Sequence, residues 1–174
     1  MPLHTPPHKP AAEDPGPMHR LAMCRLAVEG ESGLEASALE IERGGPSYTA
    51  DTLREIHASE PEAELTFIVG ADTAMTLPRW RRPQDVLAMA RLAVAGRPGT
   101  DGAEVLDALA SVPAPSGAAG PHVEPEVVFL SMAPVDVSSS QVRERVARGE
   151  PVAELVGEPV ARYIAEHGLY GAAP

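Results

Sequence analysis

The eight residues Leu65-Thr66-Phe67-Ile68-Val69-Gly70-Ala71-Asp72 decide the fold class. A short run of apolar and β-favouring residues that stops at a glycine predicts a buried strand over 65–69. Similar runs predict strands over 92–95 and 126–130, and helices predicted over 83–90 and 102–110 separate the three strands. Strands that alternate with helices are typical of an α/β fold with a mostly parallel sheet.

The segments before this core carry two kinds of pattern. Apolar residues at helical spacing predict one helix from Met18 to near Gly30 and another over 50–59. Between them, the alternation of apolar and polar residues over 35–42 predicts a further strand.

The remaining segments are two helices and two loops. One helix is predicted over 138–148, and a last helix has Pro159 near its first position, where proline is favoured. Residues 1–17 are rich in proline and residues 113–125 in Pro, Gly, Ala and Ser, so both segments are predicted as loops. We expect residues 1–174 to form a single domain.

Composition and charge exclude several classes of protein. The net charge of -11, from 14 basic and 25 acidic residues, disfavours sequence-independent binding to nucleic acid. Cys24 is the single cysteine, so neither an intramolecular disulfide nor a Cys-rich zinc site is possible, and His4 and His8 have no third ligand near them in sequence. No apolar run approaches the roughly 18 residues of a membrane helix, and no signal peptide is evident, so we expect a cytoplasmic location.

Polar and glycine residues follow each predicted strand at the point where it ends. Gly70 and Asp72 follow the first strand, Arg97 follows the second, and Ser138-Ser139-Ser140 opens the helix after the third, with Arg143 one turn further on. Ligands of open parallel sheets bind beyond the carboxyl ends of the strands. A glycine lets a flat ring approach the backbone, and a helix start with hydroxyls and an arginine suits an anion. The sequence therefore predicts a nucleotide-phosphate pocket.

Each of these signals also has an ordinary structural explanation. The serine run is a common helix cap, and Ser138 stands in capping-box spacing before Gln141. Asp72 would cap a helix that starts near Thr73, and Trp80, the single tryptophan, is by default a core or rim anchor. The order of the motifs along the chain carries more weight than any one of them.

In that order, the sequence resembles the bacterial nicotinate-nucleotide adenylyltransferases over nearly its whole length. The segments that carry the resemblance include Pro6-Pro7-His8-Lys9, Gly45-Pro46-Ser47-Tyr48-Thr49-Ala50-Asp51-Thr52-Leu53, Phe67-Ile68-Val69-Gly70-Ala71-Asp72, Leu77-Pro78-Arg79-Trp80, Arg97-Pro98-Gly99, Val137-Ser138-Ser139-Ser140-Gln141-Val142-Arg143 and Tyr163-Ile164-Ala165-Glu166-His167-Gly168-Leu169-Tyr170. The Pro-Ser-Tyr-Thr-x-Asp-Thr-Leu element is fairly specific for the nicotinate branch of that superfamily. The resemblance implies a Rossmann-like nucleotidyltransferase fold.

The resemblance also implies a reaction. In such enzymes the phosphate of nicotinic acid mononucleotide attacks the α-phosphorus of ATP, giving deamido-NAD and pyrophosphate, and Mg²⁺ commonly accompanies the triphosphate. No covalent intermediate is needed, so positioning and charge neutralisation do the catalytic work. The implied partners are ATP and nicotinic acid mononucleotide, with no nucleic acid and no membrane, and the oligomeric state is left open.

The same resemblance implies residue roles at three places. Phosphate oxygens would be met by His8, Lys9, Ser139, Ser140 and Arg143. The adenosine side would be lined by Gly70, Asp72 and Arg97. At the nicotinate end, Trp80 would stack on the pyridine ring, Tyr48 would shape the pocket, and backbone amides near Thr49 and Arg81 would take the carboxylate. No metal-binding residue is implied.

The sequence departs from the family pattern in two respects. Family members often have an aromatic residue where Arg81 stands, and we expect the added cation to favour nicotinic acid mononucleotide over the amide nucleotide. The family's N-terminal strand, with its Gly-Gly-x-Phe-x-Pro-x-His-x-Gly-His loop and helix, does not occur in the 174 residues. We therefore expect the first strand and helix of the fold to be missing, name no catalytic residue, and expect little adenylyl transfer from these residues alone.

Two alternative functions stay open at this point. One is a truncated, non-catalytic relative that retains a nucleotide-binding pocket. The other is a sister adenylyltransferase that acts on a different phosphate, such as phosphopantetheine. Trp80 and the Ser47-Tyr48-Thr49 element favour the nicotinate branch, because they suit a charged pyridine.

Overall fold

The structure is a computed structural model that describes residues 1–4, 14–96, 102–113, 126–133, 135 and 137–172. His8, Lys9, Arg97 and residues 114–125 of the predicted loop lie outside the described residues. The chain divides into two compact units, which we call the terminal unit (Met1–Ser47 with Val135–Pro174) and the sheet unit (Tyr48–Pro134). A single domain over 1–174 stays a prediction.

The described residues form twelve helices and strands. In chain order these are α1 (Pro17–Val28), α2 (Leu39–Arg43), α3 (Thr49–Ser59), β1 (Thr66–Gly70), α4 (Ala71–Ala74), α5 (Pro83–Met89), β2 (Arg91–Ala95), α6 (Gly102–Ala110), β3 (Val127–Leu130), α7 (Ser139–Ala147), α8 (Ala153–Val156) and α9 (Glu158–Glu166). Single 3₁₀ turns cover Leu77–Arg79 and Leu169–Gly171. Among these described helices, none is long and apolar enough to span a membrane.

The sheet unit contains a parallel sheet in the order β1-β2-β3. Phe67 of β1 lies opposite Leu92 of β2, and Gly70 lies opposite Ala95, so the two strands end together. Helices α4 and α5 connect β1 to β2, and α6 connects β2 to β3, as parallel neighbours require a crossover. The predicted α/β class, parallel sheet and three sheet strands are thereby confirmed.

The core of the sheet unit is aliphatic and centres on β2. Leu92, Ala93 and Val94 are successive residues that are all buried in the central strand, which lies between β1 and β3. Leu77 and Val86, which follow β1, pack into the same core. This packing fixes the chain between the first two strands, which contains Trp80 and Arg81.

The terminal unit has a separate core formed by its helices. Val142 and Val146 of α7, one turn apart, pack with Val160 and Ile164 of α9, which are also one turn apart. At the start of α7, the Ser138 Oγ accepts a hydrogen bond from the Gln141 amide, 3.1 Å away. This bond confirms the predicted cap and fixes where the helix begins.

Two local predictions are wrong. Residues 39–42 of the predicted 35–42 strand lie in helix α2, in which the buried Glu40 is 3.8 Å from Arg43, a pairing of residues three apart that a helix permits. Asp72 does not cap a helix at Thr73, because α4 begins at Ala71 and places Asp72 within its first turn. Helix α8 is an additional short helix that no pattern in the sequence predicted.

Candidate functional site

Two of the three predicted adenosine residues, Gly70 and Asp72, lie at the carboxyl end of β1. Gly70 ends the strand and precedes α4, and a Cβ built on it would meet no atom within 4 Å. The space beside this backbone is therefore open to a flat group. Asp72 is exposed in the first turn of α4, so the structure brings it next to Gly70, whereas Arg97 lies outside the described residues.

The predicted nicotinate residues of the sheet unit come from two segments. Tyr48 occupies the N-cap position of α3, and Thr49 is the first residue of that helix. The guanidinium Cζ of Arg81 lies 4.6 Å from the centroid of the Tyr48 ring, which is a cation–π contact. The structure thus brings the start of α3 together with the segment that follows Trp80.

Trp80 is held by contacts at its edge. Its indole Nε1 donates a hydrogen bond to Thr76 Oγ1 at 3.0 Å, and Thr76 Oγ1 donates to the Thr73 carbonyl at 2.7 Å. Phe67 of β1 meets the indole in an edge-to-face arrangement, with ring centroids 6.1 Å apart and an interplanar angle of 66°. The half-buried indole is therefore both a rim anchor of the core and an aromatic surface of fixed orientation.

A cluster of four charged side chains, which the sequence reasoning missed, joins the same two segments. Asp51 of α3 pairs with Arg82 and, at 3.2 Å, with Arg54, and Arg54 reaches Asp85 of α5 at 2.8 Å. We call these four residues the Arg82 cluster. The hydrogen bond from Arg82 lowers the pKa of Asp51 below its usual value, against the opposing effect of burial.

The described phosphate residues lie at the start of α7 in the terminal unit. Ser139 and Ser140 are the first two residues of the helix, and both are exposed. Arg143 donates a hydrogen bond to Ser140 Oγ at 3.1 Å, so these side chains meet on one turn. Unpaired amides, hydroxyls and a guanidinium at a helix start together favour an anion such as phosphate.

A cavity of about 680 Å³ in the terminal unit opens onto this turn. Its lining includes Ser140, Arg143, Tyr170 and Asp14. Burial raises the pKa of the Tyr170 phenol, the positive charge of Arg143 opposes this shift, and the negative charge of Asp14 adds to it. Tyr170 belongs to a C-terminal segment that carries the family resemblance, but only the fold places its side chain beside Arg143.

The described residues contain no group of three or more His, Cys, Asp or Glu side chains that could hold a metal ion. The donors that the structure does gather, hydroxyls and guanidinium groups, suit phosphate oxygens better than a divalent cation.

Comparison with known proteins identifies the class. Residues 2–145 match the family model described as cytidylyltransferase-like, so the chain belongs to the cytidylyltransferase-like class of proteins. The chain is 38% identical over 170 residues to a probable nicotinate-nucleotide adenylyltransferase of Desulfitobacterium hafniense, covering 98% of this chain and 79% of that protein. It is 41% identical over 155 residues to one of Dehalococcoides mccartyi, covering 87% of this chain and 71% of that protein.

The chain belongs to the nicotinate-nucleotide adenylyltransferase family, which confirms the resemblance inferred from its motifs. Its fold matches that of Plasmodium falciparum nicotinic acid mononucleotide adenylyltransferase complexed with NaAD, with a TM-score of 0.69 at 14% identity. That match covers 98% of this chain and 80% of the solved one, and it supports the Rossmann-like fold.

Proposed function

We propose that the protein transfers the adenylyl group of ATP to nicotinic acid mononucleotide, forming deamido-NAD and releasing pyrophosphate, in NAD biosynthesis. The observation that carries this proposal is the meeting of the α3 start with the Trp80-Arg81 segment, seen in the contact of Arg81 with Tyr48. The relatives, which are probable nicotinate-nucleotide adenylyltransferases, support the same substrates. The cytoplasm and the absence of nucleic-acid partners stay predictions.

At the nicotinate end, we assign the carboxylate to backbone donors. The amides of Asp51 and Thr52 already donate to the Tyr48 carbonyl, at 2.9 and 3.2 Å. The amide of Thr49 is earlier in the first turn, where a helix offers no internal acceptor. With the Arg81 amide and the positive end of α3, it would receive a carboxylate, while the indole of Trp80 would stack on the pyridine ring.

At the phosphate end, we assign Ser139, Ser140 and Arg143, together with His8 and Lys9, to phosphate oxygens. A phosphate oxygen of the mononucleotide attacks the α-phosphorus of ATP, and the bond from that phosphorus to the pyrophosphate oxygen breaks. Negative charge on the leaving pyrophosphate would be stabilised by the guanidinium and the helix start. Mg²⁺ would enter with the triphosphate, and Gly70, Asp72 and Arg97 would line the adenosine side.

The test combines binding with product formation. Trp80 is the single tryptophan, so its fluorescence reports directly on the proposed pyridine site when nicotinic acid mononucleotide is titrated. The chain is then incubated with ATP, Mg²⁺ and the mononucleotide, and deamido-NAD and pyrophosphate are measured. Binding with product formation supports the proposal, and absence of mononucleotide binding contradicts it.

The same experiment separates the alternatives. Binding of both nucleotides without product would favour the non-catalytic nucleotide-binding relative. Product formed from phosphopantetheine, but not from the mononucleotide, would favour the sister adenylyltransferase.

A further inference from the structure

We propose that Asp51 and Arg82 are positioning residues that hold the two backbone segments of the nicotinate pocket in register and thereby set the preference for the acid over the amide mononucleotide. This inference rests on the proposed function. Neither Asp51 nor Arg82 is among the residues assigned to bind the substrates. The inference adds their ion pair as the origin of the substrate preference.

The ion pair lies directly beside both proposed carboxylate donors. Asp51 is two residues after Thr49 in the first turn of α3, and Arg82 follows Arg81 immediately. A contact between Asp51 and Arg82 therefore fixes the distance between two backbone segments, each within two residues of a donor. The pairing spans 31 positions of sequence, so it is a tertiary constraint and not a local one.

The geometry of Arg82 indicates that this constraint has an energetic cost. Its backbone is left-handed, with φ 54 and ψ 57, a conformation that residues other than glycine rarely adopt. Its Nε is buried and has no hydrogen-bond partner among the described residues, with Asp85 Oδ2 3.9 Å away. Glycine would adopt this left-handed backbone conformation with less strain. The contacts of the Arg82 guanidinium must therefore offset the strain that an arginine brings to this position.

The charges of the Arg82 cluster cancel, since it contains two arginines and two aspartates. Its effect on a carboxylate therefore comes mainly from geometry, whereas Arg81, stacked on Tyr48, brings a positive charge to the same end. Two converging N–H donors bind a carboxylate well and oppose the NH₂ group of an amide. Loss of their alignment should weaken binding of the acid most and bring the two mononucleotides closer in affinity.

The experiment measures the Kd of both mononucleotides and of ATP, using Trp80 fluorescence for the mononucleotides and calorimetry for ATP. Wild type is compared with Asp51→Asn, which keeps the side-chain shape, and with Arg82→Gly, which removes the pair while relieving the left-handed backbone. Glu126→Gln is the matched control, because it removes a carboxylate from another ion pair of the sheet unit, that with Arg91 at 2.6 Å.

We expect each variant to weaken the acid mononucleotide about tenfold, the loss of roughly one charge-assisted hydrogen bond, with little change for ATP. The double variant should lose no more than either single variant, since both remove one interaction. Arg82→Gly should show this loss even if its melting temperature rises, which a merely structural role would not produce.

Four results would overturn the inference. One is an unchanged acid-to-amide ratio in a folded Arg82→Gly variant. Another is an equal loss for ATP and both mononucleotides, which would show a general structural effect. If wild type binds the acid without preference over the amide, the inference fails while the proposed function stands; if it binds neither, both fail.

Discussion

The guanidinium of Arg81 lies over the ring of Tyr48, with Cζ 4.6 Å from the ring centroid. The contact joins the residue at the N-cap position of α3 to the residue that follows Trp80. It places a cation at the end of the sheet unit that we assign to a carboxylate, where family members often have an aromatic side chain.

Replacing Arg81 with alanine should weaken binding of nicotinic acid mononucleotide about two- to fivefold, since an exposed cation–π contact and one nearby charge are lost. Arg81→Lys should keep most of the affinity, because it keeps the charge. The measurement is a Trp80 fluorescence titration at low and high salt. Equal affinities of the alanine variant and wild type at low salt would remove Arg81 from the site.

Replacing Trp80 with alanine should weaken the mononucleotide about tenfold or more and leave ATP nearly unchanged, because stacking on an aromatic ring is lost at one substrate only. Trp80→Phe is the matched control, since it keeps an aromatic face. Calorimetry measures both ligands, as the variants lack the fluorescent indole. Equal losses for ATP and mononucleotide would contradict the assigned role.

Replacing Arg143 with alanine should weaken ATP binding about tenfold or more, because a charge-assisted contact to phosphate is removed at the α7 start. Arg148→Ala serves as control, since Arg148 lies just beyond α7, is paired with Glu150 at 2.8 Å and does not line the cavity. The affinity of each variant for ATP is measured by calorimetric titration in the presence of Mg²⁺. If both variants lose the same affinity, the effect is one of net charge rather than of a site.

Asp51 should make stability depend on pH in the acid range. Its pKa is lowered in the folded state, mainly by the hydrogen bond from Arg82, so it stabilises the fold above its unfolded pKa. That stabilisation is lost as the pH falls through the folded value. The free energy of unfolding in urea is measured at neutral pH and near pH 3. The difference between the two values should be smaller for Asp51→Asn than for wild type, and Glu126→Gln is the control. An unchanged difference would show that the pair does not couple to folding.

The sequence predicts the sheet well because its signals are local. The strands β1 and β2 are short apolar runs next to glycine or at the end of a helix, and the order of strands and helices indicates parallel pairing. The strand predicted over 35–42 fails because its alternation also fits one helical turn, in which Glu40 can meet Arg43.

The candidate site is only partly predictable from sequence. Motif order identifies Tyr48 and Trp80, but the partners of Asp51 depend on how α3 packs against the segment before α5, which no local pattern specifies. The sequence contains one local indication of the unusual backbone at Arg82. This residue precedes Pro83, and a residue before a proline is disfavoured in the right-handed helical conformation. The left-handed alternative follows from tertiary contacts, so it became visible only in the fold.

The most direct test of the proposed substrate is titration of the unmodified chain with nicotinic acid mononucleotide, followed through the fluorescence of Trp80. A saturable change in emission is predicted, and nicotinamide mononucleotide should give the same change only at higher concentration. No change with the acid at concentrations up to about 1 mM, the upper end of ordinary substrate affinities, would contradict assignment of this site to a nicotinate nucleotide.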